Sequence, residues 1–234
     1  MSPAPAERLI VALDVPTPEE ANALIAKIGE HAGVYKIGLE LLFAGGAELA
    51  RRLSDQDQKV FVDAKLLDIP HTVERATANI AALGAAFLTV HGHDIKTMEA
   101  AMKGRGSSDL KLLAVTVLTS LDKSDLEQQG SAMTPAELVL HRAQLRREAG
   151  FDGVIASGHE AASIREATGD DFLIVTPGIR PAGADAGDQA RVMTPARAIQ
   201  AGADYLVVGR PITQAEDPGT AARAIVEEIE QALV

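Results

Sequence analysis

Eight short apolar runs recur along the chain, each followed by a stretch that carries helix-opening signals. This alternation restricts the fold more than any other feature. The runs fall at 9–13, 34–37, from 60 onward, 87–90, 110–118, 153–156, 172–175 and 205–208. They are apolar at nearly every position, as in strands of a parallel sheet covered on both faces by helices. Thr17-Pro18-Glu19-Glu20 supplies an N-cap, a proline at the first helical position and an early acid. That helix is expected to reach about residue 31, and a Leu- and Ala-rich helix follows to about 53. Pro70 disfavours helix at Ile69, so Thr72 is expected to open the third helix, ending near 83. A further helix is expected from about Ile95. Thr134-Pro135-Ala136-Glu137 is expected to open the longest helix, after a polar loop over 122–130. Helices over 160–167, from Thr194-Pro195 and from Asp217-Pro218 complete the set. Eight such units in 234 residues predict an α/β fold, a closed single-domain (β/α)8 TIM barrel over 1–234, with a flexible lead-in at 1–7.

Composition excludes several classes of function. The net charge of −11 argues against sequence-independent nucleic-acid binding, so an anionic ligand needs a local cationic pocket. No cysteine is present, which removes disulfides, thiolate catalysis and cysteine-held metals and suits a reducing cytoplasm. No apolar run reaches the length of a membrane span, and the first residues lack the order of a signal peptide.

The chemistry collects at the strand exits, where barrels of this kind place their active sites. Asp14 ends the first run, Lys36 lies in the second, and Asp63, Lys65 and Asp68 end the third. Asp63 and Lys65 are two residues apart, so a regular strand sends both to one face. Charges at the end of a buried strand are costly to desolvate unless something requires them. Two carboxylates flanking two ammonium groups favour a charged lysine, suited to donating a proton and unsuited to a Schiff base. Gly178 with Arg180, and Gly209 with Arg210, follow the seventh and eighth runs, the usual phosphate-binding loops of such barrels. The small-residue-rich segment 181–190 is expected to close over the ligand, with Gln189 reaching it. His91 and His93 would share a face, but no third or fourth ligand is signposted and no metal is expected. No nicotinamide, pyridoxal or nucleotide-loop fingerprint is present.

Together these residues resemble the orotidine 5′-phosphate decarboxylase family from Leu9 to about Val226. Its Asp-x-Lys-x-x-Asp run appears as Asp63-Ala64-Lys65-Leu66-Leu67-Asp68, followed by Ile69-Pro70. Further landmarks are Val11-Ala12-Leu13-Asp14, Lys36-Ile37-Gly38, Val90-His91, Val115 through Ser120, Thr176-Pro177-Gly178-Ile179-Arg180 and Val208-Gly209-Arg210-Pro211-Ile212. The resemblance implies a carboxy-lyase that converts orotidine 5′-monophosphate to uridine 5′-monophosphate and carbon dioxide, the last step of UMP synthesis, without cofactor or metal. It implies Lys65 as proton donor, Asp63 beside the substrate carboxylate, and Lys36 with Asp68 completing the charge network. It also implies Asp14 and Lys36 on the ribose hydroxyls, and Thr119, with Thr116 and Ser120 adjacent, near the pyrimidine. Arg180, Gln189, Gly209 and Arg210 would bind phosphate. Ile69 is counted among the substrate-binding positions, and Asp68 and Thr72 would come from the second subunit of a homodimer. Two other readings stay open. A magnesium-dependent keto-sugar-phosphate decarboxylase or hexulose-phosphate synthase of the same suprafamily is disfavoured by Lys36, where such relatives typically carry an acid. A non-catalytic nucleotide-sensing barrel is disfavoured by the intact charged set.

Overall fold

The computed structural model describes residues 3–181 and 192–233. Eight parallel strands close a barrel: β1 (Leu9–Ala12), β2 (Val34–Ile37), β3 (Lys59–Leu66), β4 (Phe87–His91), β5 (Lys111–Val115), β6 (Gly153–Ile155), β7 (Leu173–Thr176) and β8 (Tyr205–Val208). Each strand pairs with the next, and β8 returns to β1 through Leu9↔Leu206, Ile10↔Val207 and Val11↔Val208. Helices lie between the strands, so the predicted (β/α)8 architecture is the observed one.

Strand alternation sorts the side chains into two cores. Ile10, Ala12, Val34, Phe61, Phe87, Leu113, Val175 and Val207 fill the barrel interior. Phe87 stands edge-on to both Phe61 and Tyr205, with ring centres 6.0 and 5.2 Å away. Their neighbours Leu9, Val11, Tyr35, Val60, Val62, Leu88 and Val90 point outward and bury the helices against the sheet. Aromatic bulk thus fills the interior around the strand starts. The interior positions further along β2, β3 and β4 are Lys36, Asp63 and Thr89, all buried.

Several boundaries differ from expectation, each for a local reason. The helix after β3 starts at Pro70 and runs to Ala82, with Ile69 as N-cap at φ −59° and ψ 148°. Proline sets its own φ for the first helical position and pushes the preceding residue to extended ψ, so Pro70 opens the helix and Thr72 sits inside its first turn. β5 ends at Val115 and does not continue to residue 118. Beyond it the Thr116 hydroxyl donates to the Ile155 carbonyl at 2.8 Å, and a turn closes from Leu118 to Leu121. Within the polar segment 122–130, Lys123–Gln128 is a short helix, because Asp122 and Asp125 form a reciprocal capping box. Pro218–Ala232 spans 15 residues and exceeds Pro135–Glu148 at 14. Within the expected lead-in, Glu7 belongs to a 3-10 turn over Ala6–Arg8 and pairs with Lys59 at 2.7 Å.

Candidate active site

Asp14 beyond β1, Lys36 of β2 and Asp63 and Lys65 of β3 converge at the strand exits. Lys36 Nζ lies 3.0 Å from Asp14 Oδ1 and 3.4 Å from Asp63 Oδ2. Lys65 Nζ lies 2.8 Å from Asp63 Oδ1. Asp63 therefore has an ammonium on each carboxylate oxygen. Gly38 makes room for this arrangement, since a Cβ there would fall 2.8 Å from Asp14 Oδ1 and 3.0 Å from Lys36 Nζ.

β3 is irregular where it carries these groups. Its pairing with β4 steps from Val62↔Leu88 to Leu66↔Val90, so four residue steps face two. Lys65 takes up the irregularity at φ 46°, a left-handed conformation that lysine seldom adopts. The meeting of Asp63 and Lys65 thus depends on a bulge as well as on alternation. Thr89 of β4 spans the bulge. Its hydroxyl donates to Asp63 Oδ1 at 2.8 Å and accepts the Lys65 backbone N–H at 2.9 Å.

Burial by itself raises the Asp63 carboxyl pKa, but the Lys36 and Lys65 charges and the hydrogen bonds from Lys65 and Thr89 hold it below its usual value. The stabilisation drawn from ionised Asp63 is therefore complete above the unfolded carboxyl range, about pH 4, and is lost only as pH falls through the lower folded value. The stability difference between the parent and Asp63→Asn is expected to stay constant from neutral pH to about pH 5 and to shrink below about pH 4. Denaturant unfolding at a series of pH values checks this; a difference that already shrinks between pH 7 and 5 would contradict it.

Two cavities meet over this cluster. One of about 200 Å³ is lined by Asp63 and Lys65 together with Phe61, Val115, Val117, Leu118, Thr119, Ile155 and Ala156. The other, of about 340 Å³, is lined by Asp14, Gly178, Arg180, Gly209 and Arg210, with Thr213 and Gln214 beside them. Both share Lys36, Pro177 and Val207. The inner space is a largely apolar slot with an ion pair in its wall, and the outer one is cationic and glycine-edged. Gly178 stands at φ 75°, a conformation glycine adopts without steric cost. Among the described residues a Cβ on Gly209 would meet only Ala12 Cβ, at 3.6 Å, and Gly209 lines the cavity. Arg180 is buried, and its backbone N–H donates to the Met193 carbonyl at 3.0 Å.

Of the sequence-predicted residues, Asp14, Lys36, Asp63, Lys65, Thr119, Arg180, Gly209 and Arg210 line these two cavities. Thr116 turns its hydroxyl to Ile155, and Ser120 lies outside both linings. Asp68 and Ile69 on the turn beyond β3, and Thr72 in the first turn of the helix that follows, are exposed and line neither space. Asp68 Oδ1 accepts the Ile69 N–H at 2.6 Å. Gln189 lies outside the described residues. The rings of His91 and His93 are 4.9 Å apart. Burial first, and then neighbouring cations, lower the pKa of both. Among the described residues no three His, Asp or Glu side chains converge as metal ligands. Sequence reasoning missed Thr89, Thr213 and Gln214. Thr89 was signalled by its parity with the inward Phe87.

Comparison with known proteins adds a lineage to this geometry. Residues 7–225 match the model of the Orotidine 5′-phosphate decarboxylase / HUMPS family. An orotidine 5′-phosphate decarboxylase of Bradyrhizobium sp. (strain ORS 278) is 56% identical over 230 residues, covering 98% of this chain and 94% of the relative. One from Methylobacterium nodulans is 55% identical over 231 residues, covering 97% and 98%. The crystal structure of the Lactobacillus acidophilus orotidine 5′-phosphate decarboxylase superposes with a TM-score of 0.83 at 40% identity, covering 94% of this chain and 98% of that one.

Proposed function

The chain belongs to the orotidine 5′-phosphate decarboxylase family, and from that premise we propose that it is a carboxy-lyase converting orotidine 5′-monophosphate to uridine 5′-monophosphate, with Lys65 as proton donor and without metal or organic cofactor. One observation carries the assignment of roles. An ammonium is held 2.8 Å from a buried carboxylate in the wall of an apolar slot that opens into a cationic cavity.

In this reading the phosphate lies against Arg180, Arg210 and the backbone at Gly209, and the pyrimidine enters the slot toward Thr119. Gln189, outside the described residues, is assigned to the phosphate by the family resemblance alone. Asp14 and Lys36, already paired, meet the ribose hydroxyls. The bond between the ring carbon and its carboxylate breaks and carbon dioxide leaves. The electron pair stays on the ring carbon and takes a proton from the Lys65 ammonium, which is later restored from solvent. The ring offers no electron sink, so fixed charge must meet the developing carbanion. An ammonium already oriented by Asp63 needs little reorganisation to do so. Asp63 beside the departing carboxylate adds ground-state repulsion.

Asp68, Ile69 and Thr72 take part only if another copy of the chain supplies them. They sit on the turn and helix start beyond β3, where Leu67 and Ile69 keep 52% and 67% of their surface in solvent, and a homodimer across that surface would use it. The absence of cysteine fits a cytoplasmic setting.

The direct test is the ultraviolet absorbance of orotidine 5′-monophosphate with purified protein in excess EDTA. Full conversion at an unchanged rate is expected. Conversion that appears only after magnesium is restored would favour the metal-dependent relatives, and tight binding without conversion would favour a sensing barrel.

A further inference from the structure

Thr89 makes two hydrogen bonds that the catalytic reading does not use. Its hydroxyl can donate only one proton, and that proton goes to Asp63 Oδ1 at 2.8 Å. The same oxygen takes the Lys65 ammonium at 2.8 Å, while Oδ2 faces Lys36 at 3.4 Å. The carboxylate is thereby fixed about its terminal torsion, with one oxygen turned to each lysine. The hydroxyl oxygen also accepts the Lys65 backbone N–H at 2.9 Å. That N–H lies within the register shift, where pairing with β4 is interrupted between Val62 and Leu66. The side chain of Thr89 substitutes for the missing backbone acceptor and holds Lys65 at φ 46°. Thr89 itself is 1% exposed, so no water stands ready to replace it.

We propose that Thr89 is a positioning residue: it orients the Asp63 carboxylate and the Lys65 backbone together, so that the ammonium is presented at one fixed place in the slot. This rests on the assignment of Lys65 as proton donor. Its physical content is separable, because the orientation of Asp63 exists without substrate. The groups facing Asp63 are Lys36 from β2, Lys65 from β3 and, at longer range, His91 from β4. None of these three residues is itself altered by a substitution at Thr89.

Thr89→Val keeps the shape and removes the hydroxyl; Thr89→Ser keeps the hydroxyl. Two readouts are taken on the full protein. In the first, the Asp63 side-chain carboxyl is titrated by carbon NMR without ligand and assigned with Asp63→Asn. Its midpoint is expected to rise in Thr89→Val and to match the parent in Thr89→Ser. In the second, kcat/KM for orotidine 5′-monophosphate is expected to fall roughly 10–100-fold in Thr89→Val, mainly in kcat, with its acid limb moved upward, and to stay within about threefold of the parent in Thr89→Ser. An unmoved Asp63 midpoint in Thr89→Val, or a Thr89→Ser variant as impaired as Thr89→Val, would overturn the proposal. If the parent itself fails to turn over substrate, the catalytic assignment falls, and the titration still decides whether Thr89 orients Asp63.

Discussion

Replacing Lys65 with alanine is expected to lower turnover of orotidine 5′-monophosphate by about 10⁴-fold or more while the barrel stays folded. A positioned general acid contributes typically 10²–10⁴-fold, and a preorganised charge at a developing anion about 10²–10³-fold. In the proposed mechanism one ammonium performs both tasks, so the loss should exceed either taken alone. Folding should survive for two reasons. The Lys65 side chain is a third exposed, so little apolar contact is lost. Its left-handed backbone is held by Thr89 through the main-chain N–H, which alanine retains. Asp63 keeps its pairing with Lys36 at 3.4 Å. The check is absorbance decay at matched enzyme concentrations, beside binding of uridine 5′-monophosphate and a circular-dichroism melt. Turnover within tenfold of the parent would remove Lys65 from its assigned role.

Much of this site could be read from the chain because parallel strands buried on both faces leave an unmistakable pattern. Once Val34 and Phe61 are placed inside the barrel, Lys36 and Asp63 must follow them inward two residues later. The same rule takes Phe87 to Thr89, but a threonine inside an apolar strand reads as ordinary β-branched filling. What makes it matter is the bulge on the neighbouring strand, and Val60-Phe61-Val62 gives no local sign that the ladder will slip. The start of the helix at Pro70 is hard to place from sequence because two proline effects compete. The restriction on Ile69 points to a delayed start, whereas the preset φ of Pro70 begins the helix at once. Thr213 and Gln214 were out of reach because they enter the outer cavity only through the single helical turn Arg210–Thr213. Asp68 and Thr72 mark a different boundary. Asp68 closes the family run and Thr72 follows it, yet within one chain both are exposed and line neither cavity, so the alternation that places Lys36 and Asp63 says nothing of them.

Arg210→Ala is expected to lower kcat/KM for orotidine 5′-monophosphate by about 10²-fold, with part of the loss in kcat. Arg210 edges the outer cavity, whereas Lys65 and Asp63 line the inner one, so in the proposed binding mode the guanidinium would act on a group remote from the bond that breaks. Charge-assisted hydrogen bonds to a phosphate contribute about 1.5–3 kcal/mol, or roughly 10–150-fold, and a bidentate arginine stands at the upper end. If that energy only held the substrate, KM would rise and kcat would stay. If it also seats the pyrimidine in the slot beside Lys65, truncation weakens the transition state more than the ground state, and kcat falls as well. The two cases separate with a substrate that lacks the phosphate. Orotidine should be turned over slowly and equally by parent and variant, because neither has a phosphate to grip. A variant with parental kcat at saturating nucleotide would show that phosphate binding is uniform. A variant equally impaired toward orotidine would show that Arg210 acts on the barrel rather than on the phosphate.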